Sequence, residues 1–142
     1  MAWITPIFDR TMADVQYAKE NQGSTESLKG AFNVSDYNRI ENNTKTLVQN
    51  LAQVGYSVKY TPRSSDVTVK DFITLAEIDR IKQNCINIIE GYVKFSTTPI
   101  PNLNVLYLDY IDINNIEKLL FDVDYILKSM VQSFYGCGMY AL

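Results

Sequence analysis

Apolar residues recur along three stretches of the chain with the spacing of one helix face. Ile40, Thr44, Leu47, Val48, Leu51 and Val54 form the first set, and Ile78, Ile81, Cys85, Ile88, Ile89 and Tyr92 the second. Ile113, Ile116, Leu119, Leu120, Val123, Ile126, Leu127, Met130, Val131 and Phe134 form the third and longest. Steps of three and four residues are those of an amphipathic α-helix. The polar residues Asn42, Gln49, Lys82, Asn87, Lys118 and Asp122 are expected mostly on other faces.

Each stretch also opens in the same way. With Ile40, Ile81 and Ile116 as anchors, an acid stands four residues earlier: Asp36, Glu77 and Asp112. A capping residue stands three before that: Asn33, Thr74 and Asp109. Such a side chain accepts a hydrogen bond from a backbone N–H that has no partner within the helix. The acid lies near the positive end of the helix dipole. Thr74 with Glu77 has the spacing of a capping box, and Asp36 and Asp112 give shorter versions of it. Apolar residues precede each cap (Phe32, Ile73, Leu108) and follow it by four (Tyr37, Ile78, Ile113), as in a hydrophobic staple. The repetition predicts helices over 33–54, 74–90 and 109–134. Asn33, Thr74, Glu77 and Asp109 are accordingly read as folding residues.

The flanks complete an architecture. Residues 1–30 form an N-terminal segment, with a short helix expected from Met12 to Asn21 behind a weak Thr11–Asp14 box and then a polar linker. Gly55 and Gly91 stand where a left-handed residue ends a helix. Behind them, Gly55–Tyr60 and Gly91–Phe95 alternate in character before prolines and are candidates for a small β-ribbon. Residues 135–142 form a tail. The anchors are 41 and then 35 residues apart, too uneven for a solenoid. The expected fold is mainly α: one domain over 1–142, a compact bundle of three amphipathic helices with a short N-terminal helix and extended Tyr/Pro arms.

Composition narrows the function. A chain of 142 residues fits one domain able to fold without staples. A net charge of -3, with no cluster of Lys and Arg, argues against nucleic acid as partner. Two distant cysteines, Cys85 and Cys137, give neither a disulfide framework nor metal spacing. No signal segment or membrane-spanning apolar run is present in the sequence, so synthesis in a cytoplasm is expected. Histidine is absent, which removes the commonest general base and metal ligand. No phosphate loop, dinucleotide fingerprint or nucleophile elbow occurs. The acid pairs Asp122/Asp124 and Asp109/Asp112 are read as caps and surface rather than catalytic dyads. The Asn42–Thr44 sequon falls inside a predicted helix and is discounted. No catalytic residue, cofactor or metal is expected.

Ten tyrosines are the one oddity of composition. Tyr56, Tyr60, Tyr92, Phe95, Tyr107 and Tyr110 flank the loops, Tyr135 and Tyr140 lie in or beside the tail, and Trp3, Ile4, Ile7 and Phe8 make the N-terminus apolar. Tyrosine suits protein interfaces and sugar-binding surfaces, because it offers area and a hydroxyl together. An exposed apolar terminus would be sticky, so residues 1–8 are expected to pack on the domain or on a partner. The candidate interface is therefore Trp3, Ile4, Ile7, Phe8, Tyr56, Tyr60, Tyr92, Phe95, Tyr107, Tyr135 and Tyr140. The bland reading, rings that close the ends of a small bundle, stands beside it.

Two blocks carry a resemblance. One is Trp3, Pro6, Asp9, Arg10, Thr11, Asp14 and Val15; the other is Lys29, Gly30, Ala31, Asn33, Ser35, Asp36, Asn38, Arg39, Ile40, Glu41 and Asn43. Together with the more generic 111–127 helix, they resemble small proteins encoded in tail-gene regions of phages and prophages of Gram-positive (Firmicute) gut bacteria. The resemblance implies a non-enzymatic virion structural protein, associated with baseplate or tail fibre. Its partners would be other tail proteins in a multi-copy assembly, in a particle built from chains made in the bacterial host cytoplasm. A chain without a fibre shaft looks more like an adaptor or decorating subunit. The alternative is a module that binds cell-wall glycan or a receptor through exposed tyrosines.

Overall fold

The computed structural model describes residues 3–24, 28–63, 74–105 and 107–136. Among them are four helices and no strand: α1 (Met12–Glu20), α2 (Val34–Gln53), α3 (Leu75–Gly91) and α4 (Tyr110–Gly136). The three long helices pack against one another. The expected helical bundle is the observed one, with boundaries shifted by a residue or two.

The helix starts follow the repeated pattern, with one change of role. The Asp109 side chain accepts the Asp112 N–H at 2.8 Å, and the Asp112 carboxylate accepts the Asp109 N–H at 3.1 Å. The Asp36 carboxylate accepts the Asn33 N–H at 2.9 Å. The Phe32 and Tyr37 rings meet edge to face at 6.4 Å, as a staple requires. Thr74 accepts the Glu77 N–H at 3.2 Å. Glu77 departs from the expected role, because its carboxylate is drawn to Arg80 and Tyr37 instead of back to the cap. Ile73 lies outside the described residues.

The core is the predicted apolar seam. Tyr37, Ile40, Leu47 and Leu51 of α2 meet Ile81, Cys85 and Ile88 of α3 and Ile113, Ile116, Leu119, Leu120, Val123 and Leu127 of α4. Cys85 is fully enclosed; burial first, and Glu41 second, push its thiol up to about 12, so it is an inert core residue. Two residues expected on polar faces are buried. Lys82 sends its ammonium to the Asn102, Val105 and Tyr107 carbonyls at 3.2, 2.6 and 3.3 Å, which fastens the α3–α4 connector. Asp122 accepts the Thr98 hydroxyl at 2.7 Å and the Lys118 ammonium at 2.6 Å. Burial of a charge is tolerated when it is paired in this way.

The two exits differ. Gly55 has φ 96°, while Tyr56 N–H donates to Leu51 O at 2.9 Å and Gly55 N–H to Ala52 O at 3.2 Å. This is a Schellman ending, and glycine takes its left-handed position without strain. Gly91 stays within α3 and has no positive φ. Its lack of a side chain serves proximity: a Cβ there would lie 3.0 Å from Val58 Cγ2.

The expected β-ribbon is absent among the described residues. Tyr56 and Tyr92 do meet, ring centroids 4.6 Å apart, but neither stretch bonds the other's backbone. Backbone groups of residues 59–61 are instead taken by α3 side chains. Thr61 N–H donates to Asn84 Oδ1 at 3.0 Å, Asn84 Nδ2 donates to Thr61 O at 2.9 Å, and Asn87 Nδ2 donates to Lys59 O at 3.1 Å.

Candidate functional site

The most elaborate polar structure among the described residues holds residues 3–10 against α2 and α4. This N-terminal arm has no helix or strand of its own, so its buried backbone groups need partners from elsewhere. They find them at every third residue. Ile4 N–H donates to Asn43 Oδ1 at 2.9 Å, and Asn43 Nδ2 donates to Ile4 O at 2.7 Å. Ile7 N–H donates to Glu117 Oε1 at 3.2 Å. Arg10 N–H donates to Asn114 Oδ1 at 3.2 Å, and Asn114 Nδ2 donates to Arg10 O at 2.9 Å.

The arm is anchored by charge. Arg10, 4% exposed, sends Nη2 to Asp36 Oδ1 at 3.1 Å and to Glu117 Oε2 at 2.9 Å. Its Nη1 donates to Ile7 O at 2.7 Å and Asn114 Oδ1 at 3.2 Å. Arg39 completes the group, with Nε on Glu117 Oε1 at 2.6 Å and Nη2 on Asp36 Oδ1 at 2.6 Å. Bonding to Glu117 outweighs the burial that opposes it, so Arg39 is held in its charged form. Two guanidinium groups face two carboxylates, and Glu117 is fully buried among them. Arg10 Nε is the one N–H of its guanidinium left without a partner. A cleft of about 300 Å³ opens beside the group, lined by Ile7, Arg10, Leu28, Lys29, Asn33, Ser35, Asp36 and Arg39.

Behind the arm, α1 rests on the connector before α2. A Cβ on Gly30 would stand 2.1 Å from Asp14 O, so only glycine permits this approach. Lys29 bridges to Asp9 at 3.0 Å across the same junction.

The second arm, residues 56–63, ends in a related cluster. Arg80 Nη2 lies 2.8 Å from Glu41 Oε2 and 2.8 Å from Glu77 Oε2. The Tyr60 hydroxyl donates to Glu41 and the Tyr37 hydroxyl to Glu77. Burial first, and then the bond to Glu41, push the Tyr60 hydroxyl far above the usual phenol range, so it remains a donor. Burial alone would raise Glu77, but the bonds from Arg80 and Tyr37 prevail and hold its carboxyl below the ordinary range.

The sequence-predicted interface residues divide. Trp3 is half-buried, with Lys128 Nζ 5.7 Å from its ring centroid. The Phe8 and Phe121 rings meet at a tilt of 51° with centroids 5.1 Å apart, and Lys118 Nζ lies 5.4 and 5.5 Å from the two rings. Phe95 meets Tyr125 at 6.1 Å. Ile7 is half-buried and gives its backbone N–H to Glu117, Tyr60 is half-buried with its hydroxyl on Glu41, and Tyr92 is half-buried with its hydroxyl 3.4 Å from Met130 Sδ. Ile4, Tyr56, Phe95 and Tyr107 remain exposed. Tyr140, and the side chain of Tyr135, lie outside the described residues.

Phe121 and Tyr125 were missed by sequence reasoning, although they stand four apart on α4 outside its core set. They join Phe8 and Phe95 into a lane of exposed or half-exposed aromatic groups, with Tyr125 at 57% exposure. The acids beside the lane are occupied: Asp122 as above, and Asp124 by Lys128 at 2.8 Å. Among the described residues no group of His, Cys, Asp and Glu is placed to hold a metal ion, and no helix is long and apolar enough to cross a membrane. Comparison with protein-family models, with curated proteins and with solved structures gave no match.

Proposed function

We propose that the protein is a non-enzymatic structural or adaptor subunit of a phage tail or tail-like particle, associated with baseplate or tail fibre and acting through protein–protein contacts. The virion assignment rests on the resemblance of the 3–15 and 29–43 blocks. The mode of action is supported by one structural observation: the aromatic lane along α4, where the Phe8–Phe121 and Phe95–Tyr125 pairs leave Phe95, Phe121 and Tyr125 exposed. Contiguous exposed apolar surface of this kind marks interaction sites. Aromatic rings dominate such contacts energetically.

Particles purified with the wild-type chain and with the Phe121→Ala/Tyr125→Ala double variant test the reading. The variant is expected to keep its helix content by circular dichroism, because both rings lie outside the core, and to be lost from particles. Incorporation at wild-type level contradicts the reading. Removal of residues 1–8 is expected to have the same effect on incorporation. A second reading, binding to cell-wall glycan, draws on the exposure of Tyr107 and Tyr125, at 60% and 57%. Cell-wall pull-down that Tyr107→Ala and Tyr125→Ala abolish would favour it over the first.

A further inference from the structure

We propose that the cleft beside the buried charge group is a binding site for a small oxyanion, the carboxylate or phosphate group of a small molecule. The cleft wall carries three cations, Arg10, Arg39 and Lys29, against one carboxylate, Asp36. That carboxylate is already saturated. Asp36 Oδ1 accepts Arg10 Nη2 at 3.1 Å and Arg39 Nη2 at 2.6 Å, while Oδ2 accepts the Asn33 N–H at 2.9 Å and Asn33 Nδ2 at 3.0 Å. These bonds fill the accepting capacity of a carboxylate.

Donors, by contrast, are left over. The Arg10 side chain is only 2% exposed, and both of its terminal nitrogens are fully engaged. Its Nε–H has no partner. Nε–H and Nη2 share one edge of the planar guanidinium, and on that edge Nη2 holds Asp36, which lines the cleft. A buried N–H without an acceptor is costly, and a ligand oxygen at that edge removes the cost. Ser35, the second residue of α2, lines the same cleft, and neither its N–H nor its hydroxyl has a partner among the described residues. Open N–H groups at a helix start, with the positive end of the dipole behind them, favour an anion. Lys29 is 42% exposed and its partner Asp9 77%, so this surface pair is weak enough for the ammonium to turn to a ligand. A volume of about 300 Å³ is at the small end for ligand pockets, which suits a small organic acid or phosphate.

Heteronuclear NMR of the full-length chain, following the Ser35 amide and the Arg10 Nε–H, provides the test. Sodium phosphate and sodium succinate are titrated in turn, with sodium chloride at matched ionic strength as the blank. A saturable shift of both resonances with phosphate or with succinate, and none with chloride, is expected. The anion that saturates at the lower concentration then distinguishes a phosphate site from a carboxylate site. Lys29→Glu, a change at an exposed position, should weaken that binding about fivefold while circular dichroism shows wild-type helix content. Absence of a saturable shift with both anions overturns the proposal, and so does a shift that chloride reproduces. Unchanged affinity in both Lys29→Glu and Ser35→Ala overturns it as well, because the anion then sits elsewhere. If Lys29→Glu loses helix content, Lys29→Gln replaces it and is judged by the same outcomes.

Discussion

Ile4 on the first arm and Thr61 on the second are held alike. In each case a helix asparagine takes the residue's N–H on Oδ1 and returns its own Nδ2–H to the same residue's carbonyl. An asparagine amide thereby replaces the neighbouring strand that an extended segment would otherwise need. What differs is the anchor beside the clamp. The first arm contributes a cation to a buried group in which Arg10 and Arg39 face Asp36 and Glu117. The second contributes a neutral phenol, Tyr60, to a cluster in which Arg80 already joins Glu41 and Glu77, with Glu77 partly open to solvent. Losing a partner from the first leaves buried charge, whereas losing one from the second leaves a group that a remaining partner or water can satisfy. The first arm is therefore the costlier to undock.

The largest expected effect is at Glu117. Replacement by alanine leaves Arg10 and Arg39 with Asp36 alone, and a broken buried ion pair costs about 3–5 kcal/mol. Denaturant unfolding of Glu117→Ala measures this. At Glu41, alanine leaves Arg80 its second carboxylate, so the loss is expected to be smaller, about 1–3 kcal/mol. If Glu41→Ala proves the more damaging of the two, the contrast between the anchors is wrong.

Much of this was legible beforehand, and the rest was hidden for a physical reason. Apolar period and capping chemistry are local, so the helices at 34–53, 75–91 and 110–136 could be read from neighbours in the chain. The partners of Lys82, Asp122 and Glu117 are distant: Lys82 bonds carbonyls 20 to 25 residues away, and Glu117 bonds an arginine 107 residues away. Nothing beside a charged residue announces that a distant segment will bury it. Arg10, Arg39, Glu41 and Asn43 stood out only as members of the two blocks of resemblance, and Asp36 otherwise only as a capping acid. The 55–60 and 91–95 stretches were read as candidates for a ribbon, which overlooked Asn84 and Asn87, whose side-chain amides bond the Thr61 and Lys59 backbone instead. For the aromatic lane, Phe121 and Tyr125 were available to any reading that asked which α4 rings fall off the core face.

The two clamps themselves should be equivalent. Asn43→Ala and Asn84→Ala are each expected to cost about 1 kcal/mol, because each loses two hydrogen bonds to backbone that water can partly reach. Unequal costs would show that side-chain packing, rather than the clamp, holds one of the arms. The smallest effect concerns acid. Glu77 is held below its ordinary value of 4.5, so it releases protons more readily folded than unfolded. Its contribution is present above that value and is lost as pH falls through the folded one. Stability measured from pH 6 downward should decline less steeply in Glu77→Gln than in the wild type.

The central claim is that the first arm is held at every third residue by side chains of α2 and α4. Amide hydrogen exchange, resolved by NMR at single residues of the wild-type chain, tests it most directly. Ile4, Ile7 and Arg10 should be protected, while Thr5 and Phe8 between them exchange faster. Uniformly fast exchange across residues 4–10, with α2 and α4 still protected, would contradict the account.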